Sequence, residues 1–233
     1  MKNSPSFPLR ASRLVAAVAL GTTLVSGSAL AYEKGDIILR AGAAMVDPQD
    51  SSSMLRLDGT ALTDTGVSVD DDTQLGLTLT YMVLENVGVS LLGATPFSHT
   101  VTAEGAPVDG IKTAEVKHLP PTVTVNYFPM SPDSAFQPYV GLGFNYTVFF
   151  SEELEPEFVD ALGQGSIDLK NSFGLALHAG MDVMITDNIV LNAAIWSIEL
   201  DTEATIQLDS GNTIKSDVEI DPLVYMVGVG YKF

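Results

Sequence analysis

The chain of 233 residues contains 29 acidic and 11 basic residues, which gives a formal net charge of −18, and it contains no cysteine. This charge argues against nucleic acid as a partner, because contact with a phosphate backbone needs a basic surface. The absence of cysteine excludes disulfides, a thiol nucleophile and a thiolate metal site. Hydrophobic residues make up 46% of the chain, but beyond the N-terminal region they occur in short runs, so no transmembrane helix is predicted there.

Residues 1–31 are predicted to be a cleaved secretory signal peptide. A basic start precedes an apolar stretch at 14–25, and the small-x-small pattern of a cleavage site occupies 29–31. An uncleaved membrane anchor is the alternative, but the apolar stretch is short and interrupted. Removal of the segment takes the net charge to −21 and leaves residues 32–233 as one domain, since the leader has no acidic residue and three basic ones, Lys2, Arg10 and Arg13.

Short segments in which apolar side chains recur at every second residue follow one another along the rest of the chain. This period predicts β-strands with one apolar face. The clearest segment places Leu75, Leu77 and Leu79 on one face and Gln74 and Thr78 on the other. The eight predicted strands are 37–45, 73–83, 87–97, 119–128, 139–150, 169–185, 189–200 and 223–233.

The connections between these strands alternate in length. Short turns are predicted at 85–86, 129–135 and 186–188, and long loops at 47–72, 98–114, 151–168 and 201–216. An even number of strands with turns on one rim and long loops on the other is typical of outer-membrane barrels. We therefore predict an all-β protein, an eight-stranded antiparallel transmembrane β-barrel of a Gram-negative outer membrane, with periplasmic turns and extracellular loops. A soluble barrel would bury the same apolar faces inside.

Several separated motifs resemble, in order, the outer-membrane protein W family, which includes the alkane-import protein of hydrocarbon degraders. The motifs are Asp72–Thr78, Leu91–Phe97, His118–Thr122, Pro138–Tyr146 and the ending from Asp221 to Phe233. The resemblance implies a small barrel with an apolar lumen that passes small hydrophobic molecules. The long loops match no motif that we can name, so the resemblance does not imply which molecule is carried.

The strand parity predicts which side chains enclose the lumen. The interior of an eight-stranded barrel is just wide enough for side chains to fill, and charges inside it need partners. The predicted polar lumen residues are Arg40, Lys170, His178 and Asp182. The predicted apolar lining consists of Ile38, Met82, Phe128, Phe149 and Met184.

Leu92 and Trp196 are predicted to narrow the lumen. Leu91 continues the lipid-facing parity of its strand, which turns Leu92 inward and, at the end of the same predicted strand, places Phe97 on the lipid-facing side. The resemblance places both residues at the floor of a hydrophobic funnel. The alternatives are ordinary core filling or, for Trp196, a different register that leaves its ring at the membrane interface.

Pro96, Pro120 and Pro121 interrupt two neighbouring predicted strands. Proline has no amide proton for a strand ladder. One interpretation is a lateral opening in the barrel wall, through which an apolar solute leaves the lumen for the bilayer. The other is that these prolines only end strands at the rim.

The remaining features support no catalytic or cofactor site. Ser98 beside His99, with His118 on the next strand, leaves an acyl-transfer site as a weak alternative to rim hydrogen bonding. Acidic runs at 70–72 and 152–157 are interpreted as solvated surface, with divalent cations as the alternative. The expected partners are outer-membrane lipids and lipopolysaccharide, small hydrophobic solutes and, through Phe233, the barrel-assembly machinery. A structural or stress-response barrel, or a surface receptor without transport activity, is the alternative function.

Overall fold

A computed structural model describes residues 32–49, 51–52, 54–106 and 108–233. The predicted signal peptide, residues 1–31, lies outside this part of the chain. The strands are β1 (Ile37–Asp47), β2 (Ser51–Ser52), β3 (Arg56–Leu57), β4 (Thr60–Ala61), β5 (Gly66–Val69), β6 (Asp72–Leu84), β7 (Val87–Ala94), β8 (Phe97–Glu104), β9 (Lys112–Leu119), β10 (Thr122–Tyr127), β11 (Phe136–Leu154), β12 (Gly165–Leu169), β13 (Ser172–Met184), β14 (Ile189–Ile198), β15 (Asp201–Leu208), β16 (Thr213–Glu219) and β17 (Leu223–Lys232), and the helix is α1 (Pro156–Leu162).

Eight of these strands form a closed antiparallel ring in the order β1, β6, β7, β10, β11, β13, β14 and β17. The first and last strands close the ring, with Arg40 opposite Gly230 and Ala44 opposite Met226. Each ring strand overlaps one of the predicted segments. The eight-stranded barrel predicted from the two-residue period is therefore confirmed.

The outer surface of the ring is apolar, as a lipid-facing wall requires. Leu75, Leu77 and Leu79 on β6 are 51%, 44% and 46% exposed, whereas the alternating Thr78 and Thr80 are buried inside. A water-soluble barrel would have buried the leucines. The orientation expected for a membrane barrel is thus the one observed. In the part of the chain that the structure describes, no helix has the length and hydropathy needed to cross a bilayer.

The long connections, predicted as loops, fold into further strands above the ring. β8 and β9 form a hairpin flanked by β5 and by the upper part of β11. On the other side, β12, β15, β16, β3 and β4 form a second sheet, which β2 joins at β16. The outer face of the hairpin is polar, since the side chains of Glu115 and Lys117 are 47% and 44% exposed, so we place this extension outside the bilayer.

Two predicted side-chain orientations are wrong, because strand parity is not carried across a break. Phe97 was expected on the lipid-facing side with Leu91, but it is 1% exposed and points inward. The reason is that β7 ends at Ala94, and the alternation of inward and outward side chains starts anew in β8 after Pro96. Lys170 was expected in the lumen, but it lies between β12 and β13 with its side chain 65% exposed.

Candidate functional site

The periplasmic end of the lumen is filled by an apolar cluster. Four of the predicted lining residues belong to it, together with three others, and all are buried: Ile38, Met82, Phe128 and Met184 with Tyr32, Tyr139 and Val190. The ring of Phe128 contacts those of Tyr32 and Tyr139 at centroid distances of 5.3 and 5.0 Å. These side chains form a plug instead of lining an open passage. We call this cluster the lower plug.

A buried ion pair adjoins the lower plug. Arg40 contacts Asp182 through Nε at 3.1 Å and Nη2 at 2.5 Å, and both side chains are almost fully buried. Tyr32 donates a hydrogen bond of 2.5 Å to the same carboxylate, and Asn192 donates another of 2.8 Å. Arg40 also donates to Thr80. A charge pair inside a low-dielectric barrel needs such additional hydrogen bonds. Here the hydrogen bonds connect the segment before β1, which holds Tyr32, with the strands β1, β6, β13 and β14.

The polar network extends from the ion pair to His178. Thr80 and Ser90 share a hydrogen bond of 2.7 Å, and Asn126 donates to Ser90 at 2.6 Å. His178 Nδ1 lies 2.9 Å from Asn126 Oδ1, which as an amide oxygen accepts the bond. Gly141 provides the space for Asn126, because a Cβ atom there would lie 1.8 Å from Asn126 Oδ1. The lower plug and this network close the lumen towards the periplasm.

An apolar cluster lies on the other side of the network and contains both residues predicted to narrow the lumen. Leu92 and Trp196 are 5% and 1% exposed and belong to one packed cluster with Phe97 and Met226. Trp196 pairs with His178 across β13 and β14. The inward register of β14 rules out an interfacial position for the indole. We call this cluster the upper cluster.

The wall beside the upper cluster is interrupted at the predicted prolines. The ladder between β7 and β10 stops at the pair of Leu92 and Thr122, and pairing resumes between β8 and β9 at the pair of Phe97 and His118. Between these two pairs lie residues 93–96, which lead from β7 to β8, and residues 119–121, which lead from β9 to β10, all of them described. Pro120 O and Pro121 O instead accept from Asn145 Nδ2, and Pro121 O also accepts from the Tyr146 amide.

A cavity of about 360 Å³ lies in the extracellular extension, above the upper cluster. Its walls are mostly aliphatic and aromatic, and they come from both sheets of the extension and from α1. Representative lining residues are Leu55, Val101, Val116, Phe158, Ile206 and Val218. Phe149, predicted to line the lumen, packs close by with Ala114, Val116 and Leu200. Phe97 stacks on His118 at 5.5 Å and so connects the cavity to the upper cluster.

His99 and His118 lie side by side in the cavity wall, with their Nε2 atoms 2.9 Å apart. His99 Nδ1 lies 2.6 Å from the carbonyl oxygen of Asp70. Burial, with a smaller effect from His99, lowers the pKa of His118 to about 3. His118 is therefore neutral near pH 7.

The residues of the acyl-transfer alternative do not form a nucleophile-base pair. Ser98 Oγ donates to Glu115 Oε1 at 2.7 Å, on the outer face of the hairpin, while His99 points inward to His118. Neighbouring residues of a strand face opposite sides, so Ser98 and His99 do not meet. The geometry that nucleophilic catalysis needs is absent from this described hairpin.

Several acidic residues of the extension have structural partners. Asp70 and Asp72 accept hydrogen bonds from the amides of Thr100 and Ser98. Glu203 accepts from Lys215 and Lys170, and these two hydrogen bonds hold the pKa of Glu203 below its ordinary value. Among the residues described, no three His, Asp or Glu side chains converge as metal ligands would.

Sequence reasoning missed Tyr32 and Phe97. Tyr32 precedes the first alternating run, so no periodicity drew attention to it, yet its hydroxyl contacts Asp182. Phe97 was assigned to the wrong face, as described above. The signal that could have placed it inward is Pro96, since a proline within a run marks a possible strand break.

The closed ring, its apolar outer surface and its structured extracellular extension define an eight-stranded outer-membrane β-barrel with a closed floor below an apolar cavity. The OmpW family model matches residues 33–233. Outer membrane protein W of Vibrio cholerae is 41% identical over 221 residues, covering 94% of this chain and 98% of that protein. The chain belongs to the OmpW family, whose named members are outer-membrane proteins of Gram-negative bacteria.

Solved structures agree with this assignment. The crystal structure of OprG from Pseudomonas aeruginosa matches with a TM-score of 0.84 and 48% identity, covering 88% of this chain and 98% of that chain. The solid-state NMR structure of AlkL in lipid bilayers matches with a TM-score of 0.63 at 23% identity, covering 92% of this chain and 97% of that chain. The second similarity concerns the fold alone. The resemblance found in the sequence motifs is thereby confirmed.

Proposed function

We propose that this barrel is a channel for passive uptake of small hydrophobic molecules across the outer membrane. The observation that carries the proposal is the position of the apolar cavity, which adjoins the extracellular side and leads to the upper cluster. A hydrophobic solute gains free energy by leaving water for such a surface. The presence of AlkL and outer membrane protein W among its relatives is consistent with this function.

The proposed exit is lateral, through the interrupted wall near Pro96, Pro120 and Pro121. The ion pair of Arg40 and Asp182 and the lower plug close the way to the periplasm, and an apolar solute has little reason to cross a charged layer. The ladder gap lies beside the upper cluster, where Leu92 at the end of β7 and Phe97 at the start of β8 flank it. A solute leaving there would enter the bilayer directly.

One observation favours a different function. The hydrogen-bonded ion pair fills the barrel centre as it would in a structural barrel or in a surface receptor that acts through its extracellular strands. A barrel of that kind acts through a stable wall or through its extracellular strands, and its presence in a membrane would not change the flux of any solute. Measured uptake therefore separates the two proposals.

The experiment uses vesicles with lipopolysaccharide in the outer leaflet, because its polar sugar layer retards apolar solutes that cross phospholipid freely. Uptake of a short alkane or a fatty acid methyl ester is compared with and without the barrel, and with the variant Pro96→Ala. The variant restores an amide proton in the gap and is expected to slow uptake severalfold. Pro129→Ala, in an exposed periplasmic turn, is the matched control.

If the barrel gives no uptake above empty vesicles, the channel proposal is wrong and the structural role is favoured. Uptake that is unaffected by Pro96→Ala would leave the channel proposal standing but would reject the lateral exit.

A further inference from the structure

The extracellular cavity contains one buried polar feature that its apolar walls do not explain, the pair of His99 and His118. Both residues are 5% exposed. Phe97 stacks against both imidazoles, and Phe149 packs on His118 at 5.9 Å. Burying two imidazoles among hydrophobic side chains is costly unless their nitrogens find partners, so the hydrogen bonding of each nitrogen is informative.

The contacts determine which nitrogens carry protons when the pair is neutral. The carbonyl oxygen of Asp70 can only accept, so His99 Nδ1 donates to it, and His99 Nε2 is left with a lone pair. His118 Nε2, 2.9 Å away, must then donate to His99 Nε2. In neutral His118 the remaining nitrogen, Nδ1, is an acceptor.

His118 Nδ1 is buried and has no hydrogen-bond partner. Among the described residues that line this cavity, no other buried side-chain nitrogen or oxygen lacks a hydrogen-bond partner. The hydroxyls of Thr113 and Thr202, which also line the cavity, donate to the carbonyl oxygens of Ile111 and Lys170. A buried acceptor without a donor is uncommon in folded proteins and calls for a reason.

We propose that the cavity selects apolar molecules that carry one hydroxyl group, such as aliphatic alcohols. His118 Nδ1, which neighbouring side chains cover in this structure, becomes accessible through a small side-chain displacement and accepts the hydrogen bond of that hydroxyl. The selection rests on the proposed uptake of hydrophobic solutes and names the substrate class. A wholly apolar cavity would disfavour an alcohol, because its hydroxyl would lose its hydrogen bonds to water. An acceptor at His118 removes this loss for a hydroxyl and gives nothing to an ether, which has no proton to donate.

The test compares two isomers, n-octanol and heptyl methyl ether, which have the same atoms and differ in the hydroxyl proton. Uptake into lipopolysaccharide-containing vesicles is measured at about pH 8, above the range in which an imidazole takes up a proton. Rates are corrected for vesicles without protein. The wild-type barrel is expected to favour the alcohol over the ether.

The variant His118→Phe keeps an aromatic ring but has no acceptor, and it is expected to lower the ratio of alcohol to ether uptake severalfold while ether uptake continues. His118→Asn, which keeps an acceptor close to the Nδ1 position, is the matched control and is expected to retain more of the preference. An unchanged ratio in His118→Phe, with both isomers still taken up, overturns this inference and leaves the channel proposal standing. No uptake of either isomer by the wild-type barrel overturns both.

A second measurement does not depend on the folding of a variant. The 15N resonance of His118 Nδ1 in the wild-type barrel is expected to shift on addition of n-octanol, because the nitrogen gains a hydrogen bond. Heptyl methyl ether is expected to leave it in place. Equal responses to the two isomers would contradict the proposal.

Discussion

The imidazole of His178 stacks on the indole of Trp196, with ring centroids 4.1 Å apart and an angle of 12° between the planes. The two residues face each other across β13 and β14. His178 belongs to the polar network on one side, and Trp196 belongs to the upper cluster on the other. The stacked pair is thus the boundary at which the lumen changes from apolar to polar.

Widening this boundary is expected to increase flux. The double variant Leu92→Ala with Trp196→Ala removes two of the large side chains of the upper cluster and should raise hydrophobe uptake or conductance, because the lumen of so narrow a barrel is limited by its side chains. The measurement is uptake per barrel in vesicles. Leu91→Ala, which changes a lipid-facing neighbour, is the control, and equal rates in all three proteins would count against a constriction.

Removal of the buried carboxylate is expected to destabilise the barrel. Asp182→Asn leaves the Arg40 charge buried without its partner, which should lower the free energy of unfolding by about 3–5 kcal/mol. Urea unfolding in detergent or lipid, followed by gel mobility, measures the change. Asp187→Asn in the exposed periplasmic turn is the control, and similar stabilities of the two variants would show that the ion pair is not needed for stability.

A methyl group at Gly141 is expected to disturb the lumen. Its Cβ atom would lie 1.8 Å from Asn126 Oδ1, so Asn126 must move and its hydrogen bond with His178 is lost. We expect Gly141→Ala to reduce the free energy of unfolding by about 1–3 kcal/mol. A Cβ atom at Gly93 meets nothing within 4 Å, so Gly93→Ala should stay within about 0.5 kcal/mol of the wild type. Two equal losses would refute the steric argument.

The extracellular extension is expected to lose stability in acid. Burial, and then His99, lowers the pKa of His118 to about 3 in the folded protein, whereas an unfolded histidine titrates at about 6.5. Below about pH 6.5 the unfolded chain gains a proton that the folded chain excludes, so the free energy of unfolding falls as the pH decreases towards 3. Above pH 6.5 this effect vanishes.

Hydrogen exchange of the β8 and β9 amides, corrected for intrinsic rates, measures this loss. The difference in protection between pH 7 and pH 5 should be smaller in His118→Phe than in the wild type, because the variant has no proton to exclude. A wild-type protein with the same protection at both pH values would be inconsistent with a depressed pKa.

Much of the barrel could be predicted from local patterns. The period of two located all eight ring strands, and the alternation of short and long connections separated the two rims. The inward positions of Leu92, Arg40 and Asp182 followed from parity, because side chains alternate within an unbroken strand. That of Trp196 also needed the strand register implied by the family resemblance. Prediction failed at Phe97 and Lys170, where a strand ends and the alternation is lost.

The long connections show a second limit. Their sequences carry weaker periodicity, and their strands pair with partners that are far apart along the chain, as when β3 pairs with β16. Such long-range pairing completes the extracellular cavity, whereas His99 and His118 meet across the local hairpin of β8 and β9. A local pattern holds no information about which distant strand becomes a neighbour.

By itself, then, the sequence determined a lipid-facing barrel of eight strands and the side of the wall on which most residues lie, because hydrophobic alternation is a local property of each strand. The tertiary structure decided what the interior does. It combined Tyr32 with Asp182 and Arg40 into a closed floor, assembled the upper cluster around Phe97, and interrupted the wall beside it. These arrangements depend on contacts between residues distant in the chain, whose distances are fixed only when the ring closes.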